Sequence, residues 1–154
     1  VTTSAGRLFD AAAALAGVRS SASFEGQGPM ELEAYCNGAG KIVEINLEKE
    51  DNLLKINWKP LVQLMSDSTL TLSERASMFH SSLAQVILQQ ARLIRDEHAI
   101  NTVTFSGGVF QNRVLTEQAM ALLETDDFHV CLPELIPVND AGISFGQIIE
   151  FGYK

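Results

Sequence analysis

The β-rich run INTVTF (residues 100–105) passes straight into Ser106-Gly107-Gly108, and an Asn112-Arg113 pair then opens the helical pattern VLTEQAMALLE (114–124). A strand that feeds a helix through so short a turn is a unit of layered α/β folds. A plain turn would need one glycine at most, so the second asks for a reason. Helix N-termini leave amide N–H groups unpaired and carry partial positive charge, and they attract anions. Glycine admits positive φ and lets backbone approach a ligand where any Cβ would collide. A phosphate or nucleotide site at Ser106, Gly107 and Gly108 is one reading; a tight strand-to-helix turn is the other. The spacing fits neither a Walker loop nor a Rossmann fingerprint.

The remaining periodicities support the same class. An alanine-rich helix over 5–16 should stop at a left-handed Gly17, and Gly26, Gly28 and Pro29 precede a second helix near 29–36. KIVEINLE (41–48) sets Val43, Ile45 and Leu47 against Ile42, Glu44, Asn46 and Glu48, the two-residue period of a half-buried strand. With a turn at Asp51-Asn52 and LLKINW (53–58) as partner, residues 41–58 are expected to be a hairpin. A short helix follows over 59–66. Thr71 and Glu74 have the spacing of a capping box, and Ala76, Phe79, Leu83, Val86, Ile87 and Ile94 predict a long amphipathic helix over 73–97. A buried strand is expected over 101–106, then a helix over 113–124, a strand over 128–132 and a closing helix over 141–152. Helices between the later strands predict one α/β domain over residues 1–154, a layered mixed sheet with flanking helices.

A chain of 154 residues is long enough to bury a core, and 46% hydrophobic with 19% charged residues is ordinary for a globular protein. The net charge of −8 argues against non-specific nucleic-acid binding, which needs clustered Lys and Arg. Cys36 and Cys131 are too few for a disulfide framework and form no zinc pair, so two free thiols in a reducing, cytoplasmic compartment are expected. The apolar run near the start is too short to cross a bilayer. The first residue is Val1, not methionine, so the chain is expected to be a piece of something longer.

Two further stretches could carry chemistry. In PVNDAGISFGQ (137–147), Asp140 is either a helix N-cap backed by small glycines or an oxygen ligand for a metal or a metal-bound phosphate. In GRLFDA (6–11) and FEGQGPMELE (24–33), the turn at Gly26 and Gln27 enters a helix, and Asp10 and Glu31 could grip the hydroxyls of a ribose. Surface solvation is the plain alternative for both acids. His80, His98 and His129 show no metal-ligand spacing and are read as structural, and no Ser-His-Asp or Cys-His arrangement is legible.

Taken in order, GRLFDAAAALAG, SFEGQGPMELE, FSGGVFQNRVLTE and PVNDAGISFGQ resemble the C-terminal part of the HypF family, the hydrogenase maturation carbamoyltransferases, across essentially the whole chain. That family's last domain is related to the tRNA threonylcarbamoyladenosine synthases and has the actin-like ATPase fold, in which two lobes close around a nucleotide. The resemblance implies that this chain is most of the second lobe. Ser106, Gly107, Gly108 and Asn112 then match the nucleotide-contacting segment, Asp10 an aspartate on the ribose side with Gly26 and Gln27 opposite, and Asp140 a metal ligand. The implied cofactors are ATP with magnesium and an iron or zinc ion at a site shared between the lobes, whose histidine ligands belong to the first lobe. The implied chemistry joins carbamoyl phosphate and ATP into a carbamoyl-adenylate and passes the carbamoyl group to the C-terminal cysteine of a partner, HypE. No general base is assigned, and this lobe alone is expected to be inactive and to self-associate through the surface its mate should cover. Gly28-Pro29 departs from an expected pair of alanines, and Ala141 from a common glycine. A related transferase acting on a small-molecule hydroxyl or a tRNA adenosine, and a non-catalytic interaction domain of the same fold, are the competing readings.

Overall fold

The computed structural model describes residues 4–50 and 53–152, in the order α1 (Ala5–Leu15), α2 (Gln27–Ala34), β1 (Leu47–Glu50), β2 (Leu53–Ile56), α3 (Lys59–Ser66), α4 (Leu72–His98), β3 (Thr102–Thr104), α5 (Arg113–Thr125), β4 (His129–Cys131) and α6 (Ile143–Gly152). Two 3-10 turns, Gly108–Gln111 and Asp140–Gly142, precede α5 and α6. The α/β class is as expected, but the described strands do not share one mixed sheet. β1 and β2 form an antiparallel pair, and β3 and β4 a separate parallel pair with Val103 opposite Val130.

α4 organises the interior. The capping box at its start is complete: Thr71 Oγ1 accepts the Glu74 N–H at 3.2 Å, and Glu74 Oε2 accepts the Thr71 N–H at 2.8 Å. The helix stops at Ala99, whose φ of 55° turns the chain left-handed. Its buried stripe of Ala76, Phe79, Leu83 and Val86 packs with Phe9 of α1, Leu61 and Met65 of α3, and Leu115 and Leu123 of α5. Phe9 and Phe79 meet edge to face, with centroids 5.1 Å apart. At the far end Arg92 and Arg95 both clamp Asp126, at 2.6 and 2.7 Å, while Arg95 lies 4.1 Å over the Phe128 ring.

Residues 41–46 are not the strand expected of them; the ladder begins at Leu47, and the turn at Asp51-Asn52 lies outside the described residues. The alternation was a true burial signal, since Ile45 is buried and Val43 half-buried while Ile42, Glu44 and Asn46 are exposed. What it could not reveal was the partner, which is a helix. Asn37, Gly40 and Val43 donate their backbone N–H groups to the hydroxyls of Ser77, Ser81 and Ser82 on α4, each at 2.9 Å. A Cβ at Gly40 would collide with the Ser77 and Met78 backbone, so only glycine lets the segment lie this close.

Two other expectations shift. α2 begins at Gln27, two residues before Pro29, with left-handed Gly26 (φ 80°) as its N-cap. Of the buried strand expected over 101–106 only Thr102–Thr104 forms a ladder, and the run is covered on one face only, with Thr102 and Thr104 exposed, Val103 half-buried and Phe105 buried. α6 has no buried residue at all. No helix among the described residues is long and apolar enough to cross a membrane.

Candidate functional site

Four segments that are distant in sequence meet around one open cleft of about 1460 Å³: the start of α1, the serine-rich loop and start of α2, the Gly107–Asn112 turn, and Asn139–Ala141. Asp10, Gly26, Gly107, Gly108, Asn112 and Asp140 all line it. Ser106, Gln27 and Glu31 do not. Glu31 instead accepts from Arg19 Nε at 2.7 Å and from Gln27 Nε2 at 3.1 Å, while Gln27 Oε1 accepts the Ser23 N–H at 2.8 Å. Arg19, helped by Gln27, holds the Glu31 carboxyl below the usual carboxylate range. Gln27 and Glu31 brace the loop, with Arg19 itself at the cleft; of the two acids expected to face a sugar, Asp10 lines the cleft and Glu31 does not.

The two glycines have different reasons to exist. Gly107 has φ 107°, a conformation that side chains resist, and its N–H donates to the Val138 carbonyl at 2.7 Å. That bond ties the turn to the segment carrying Asp140. Gly108 needs no special backbone, and a Cβ there would come no closer than 3.9 Å, to Asn139 and Gln111. Nothing among the described residues demands glycine at 108; its missing side chain keeps the cleft open. The turn is held from below by Phe105 and Phe110, stacked with centroids 4.4 Å apart and planes 3° off parallel.

Asp140 is not the N-cap of its turn. Asn139 is, accepting the Ala141 N–H at 3.1 Å, which leaves the Asp140 carboxylate exposed at the cleft with no partner among the described residues. No group of three or more His, Cys, Asp or Glu among the described residues could hold a metal ion. The donor set fits one protein ligand to a hard or borderline cation and no more. Glu33 went unnoticed in the sequence: it reaches from α2 to accept the Val114 N–H at 3.1 Å, across 81 residues of chain. Asn112 caps α5 through the Leu115 N–H at 2.9 Å and bonds the buried His80 through its amide nitrogen at 2.9 Å. Cys36 is half-buried, and burial pushes its thiol up to about 12, so it is a protonated neighbour and not a nucleophile.

Residues 1–147 match the family described as carbamoyltransferase, Kae1-like domain, second subdomain. The chain is similar to the carbamoyltransferase HypF of Synechocystis sp., at 31% identity over 97% of the chain and 19% of the relative, and to that of Rhizobium leguminosarum bv. viciae, at 34% over 96% and 19%. Among solved structures it resembles full-length HypF in its phosphate- and nucleotide-bound form, with a TM-score of 0.86 and 40% identity over 94% of this chain and 19% of that one. The T. kodakarensis HypF structure, 24% identical with a TM-score of 0.80 over 97% of this chain and 20% of that one, shares the fold. The chain thus spans about a fifth of the length of the relatives it matches. The Kae1-like description fits the actin-like ATPase fold implied by the resemblance.

Proposed function

This chain belongs to the HypF carbamoyltransferase family, and from that premise we propose that it is the ATP-binding lobe of an enzyme that carbamoylates a partner protein. The observation that carries the reading is the convergence of Asp10, Gly26, Gly107, Gly108, Asn112 and Asp140 on one cleft. In it the Gly107–Gly108 turn admits phosphate oxygens against backbone, where the first amides of the following 3-10 turn have no acceptor within their own helix. Asp10, on the opposite wall, faces the ribose. Asp140 supplies one oxygen to a divalent metal, magnesium with the nucleotide or iron or zinc between lobes, and that metal offsets phosphate charge when bound. The chain's own contribution is positioning and electrostatic preorganisation.

The full reaction in this reading uses carbamoyl phosphate and ATP, passes through a carbamoyl-adenylate, and delivers the carbamoyl group to a cysteine thiol of a HypE-type acceptor in the cytoplasm. It needs the first lobe and the remaining domains of a longer polypeptide, because this lobe brings a single metal ligand. The intact set of Gly107, Gly108, Asn112 and Asp140 around one cleft favours a working site over a retired interaction domain, which has no physical need of that set. The test is calorimetric titration of ATP, with and without magnesium, into the full-length protein and its Gly108→Val variant. The variant should fold as the parent does, because position 108 opens onto the cleft, and should bind ATP at least about tenfold more weakly. Equal affinities would remove the glycine turn from the site.

A further inference from the structure

Beneath the cleft, one side chain touches two of its walls. His80 of α4 is completely buried. Its ring meets Phe9 of α1 at 5.3 Å between centroids, and Nδ1 lies 3.2 Å from the Cys36 sulfur beyond the end of α2. Nε2 lies 2.9 Å from the amide nitrogen of Asn112 at the head of α5. Phe9 and Asn112 both line the cleft.

The hydrogen bonds through His80 run one way. Nδ1–H donates to the Ala76 carbonyl at 2.8 Å, so Nε2 carries the lone pair and accepts from Asn112. Asn112 is thereby obliged to present its oxygen to the Leu115 N–H. Turning the Asn112 amide over would set donor against donor at Leu115 and acceptor against acceptor at Nε2. Each partner fixes the orientation of the next.

We infer that His80 is a positioning residue for the cleft: by orienting Asn112 it seats the first turn of α5 and the glycine turn that precedes it. The consequence for ligand binding rests on the nucleotide reading of the cleft; the geometry does not. Glu33 holds the adjacent Val114 N–H from α2, so α5 is gripped from two sides. A proton on Nε2 would turn that acceptor into a donor and break the chain at Asn112. The titratable groups facing the imidazole are Glu33 and the Cys36 thiol from the α2 side; Phe9 from α1 and Asn112 from α5 bring none. Glu33 favours that proton and burial opposes it more strongly.

The test uses the full-length protein with His80→Leu, which cannot accept from Asn112, and His80→Gln, whose amide oxygen falls near the place of Nε2. Two readouts are taken: ATP affinity by calorimetry and hydrogen exchange at the Leu115 amide. His80→Leu should weaken ATP on the order of tenfold and speed Leu115 exchange, as expected for a buried amide left without its acceptor. His80→Gln should restore both. In the parent protein the Leu115 protection factor, which allows for the slower intrinsic exchange in acid, should fall as the pH drops from the ordinary imidazole value of about 6.5 toward the depressed folded value, and this dependence should be absent in His80→Gln. Unchanged Leu115 exchange in His80→Leu, or two variants alike in both readouts, would overturn the inference. If the parent itself does not bind ATP, the nucleotide reading fails while Leu115 exchange still decides the role of His80. If His80→Leu does not fold, the pH dependence of Leu115 exchange in parent and His80→Gln decides it, and equal profiles overturn it.

Discussion

α4 and α6 are both rich in apolar residues, and only one of them is packed. Phe79 and Val86 of α4 are 0% and 3% exposed, whereas Ile148 and Phe151 of α6 are 69% and 83% exposed. Hydrophobicity therefore does not explain the difference; partners do. α4 meets α3 and α5 along its length, and its capping box and Asp126 clamp fix both ends. α6 follows directly from the turn that carries Asp140, and among the described residues none of its side chains is buried. A contiguous apolar helix left bare on a globular surface marks a contact still to be made. The chain thus completes its own interior on one side and presents, on the other, a cleft wall and an unclad helix.

If α4 is the true centre, changes around it should dominate stability. Phe79→Ala is expected to cost about 4 kcal/mol, because it removes a buried ring and leaves a cavity between α1 and α4. Urea denaturation should show it as a large drop in midpoint with unchanged slope. Gly40→Ala comes next, at about 3 kcal/mol, since the added Cβ meets helix backbone that cannot rotate away. A loss below about 1 kcal/mol would mean that the 37–43 segment peels off α4 easily.

The same region should respond to acid. Burial depresses the His80 pKa, so the unfolded chain takes up a proton that the folded one refuses. The stability His80 contributes is complete above its unfolded value of about 6.5 and is lost as the pH falls from there toward the depressed folded value, at up to about 1.4 kcal/mol per pH unit. His80→Gln should flatten that slope. Asp126, held at about 2 chiefly by Arg92 and then Arg95, belongs with Glu31, Asp67 and Glu74 to a second, carboxylate loss that begins as the pH falls below about 4. Denaturation curves between pH 7 and 3 in which His80→Gln keeps the parent's slope between about pH 6.5 and 5 would remove His80 from the account.

Local signals were legible wherever a residue acts within a turn or two of itself. The Thr71–Glu74 box, the stripe on α4, Gly17 as a left-handed stop and the glycine turn before α5 were all readable, because capping and periodicity are properties of short segments. Signals that depend on distant partners were not. The alternation over 41–48 declared a buried face but could not say that three serines of α4, some forty residues on, would satisfy its backbone. Asp140 was the cap the sequence offered, and only the structure shows that Asn139 takes the role and leaves Asp140 without a partner among the described residues. Glu31 was a plausible cleft acid until Arg19 claimed it. His80 was read as structural, which is right for its burial and incomplete for its bond to Asn112. The family resemblance supplied the order of motifs; which of them share a cleft wall was a matter of fold.

The smallest effect on this chain is also the sharpest test of the contrast between the helices. Ile148→Ser with Phe151→Ser should change the stability of this chain by no more than about 0.5 kcal/mol, because neither side chain is buried. Sedimentation should show the parent chain self-associating and the double variant monomeric, since the apolar face is what two copies would cover. In the full-length protein the same pair should cost several-fold more, about 2 kcal/mol for each large apolar side chain that a preceding lobe buries. A full-length protein indifferent to both substitutions would mean that α6 faces water there too, and that the cleft closes against some other surface. A large loss in this chain alone would mean instead that α6 already packs on its own lobe, and that the difference between α4 and α6 is one of degree.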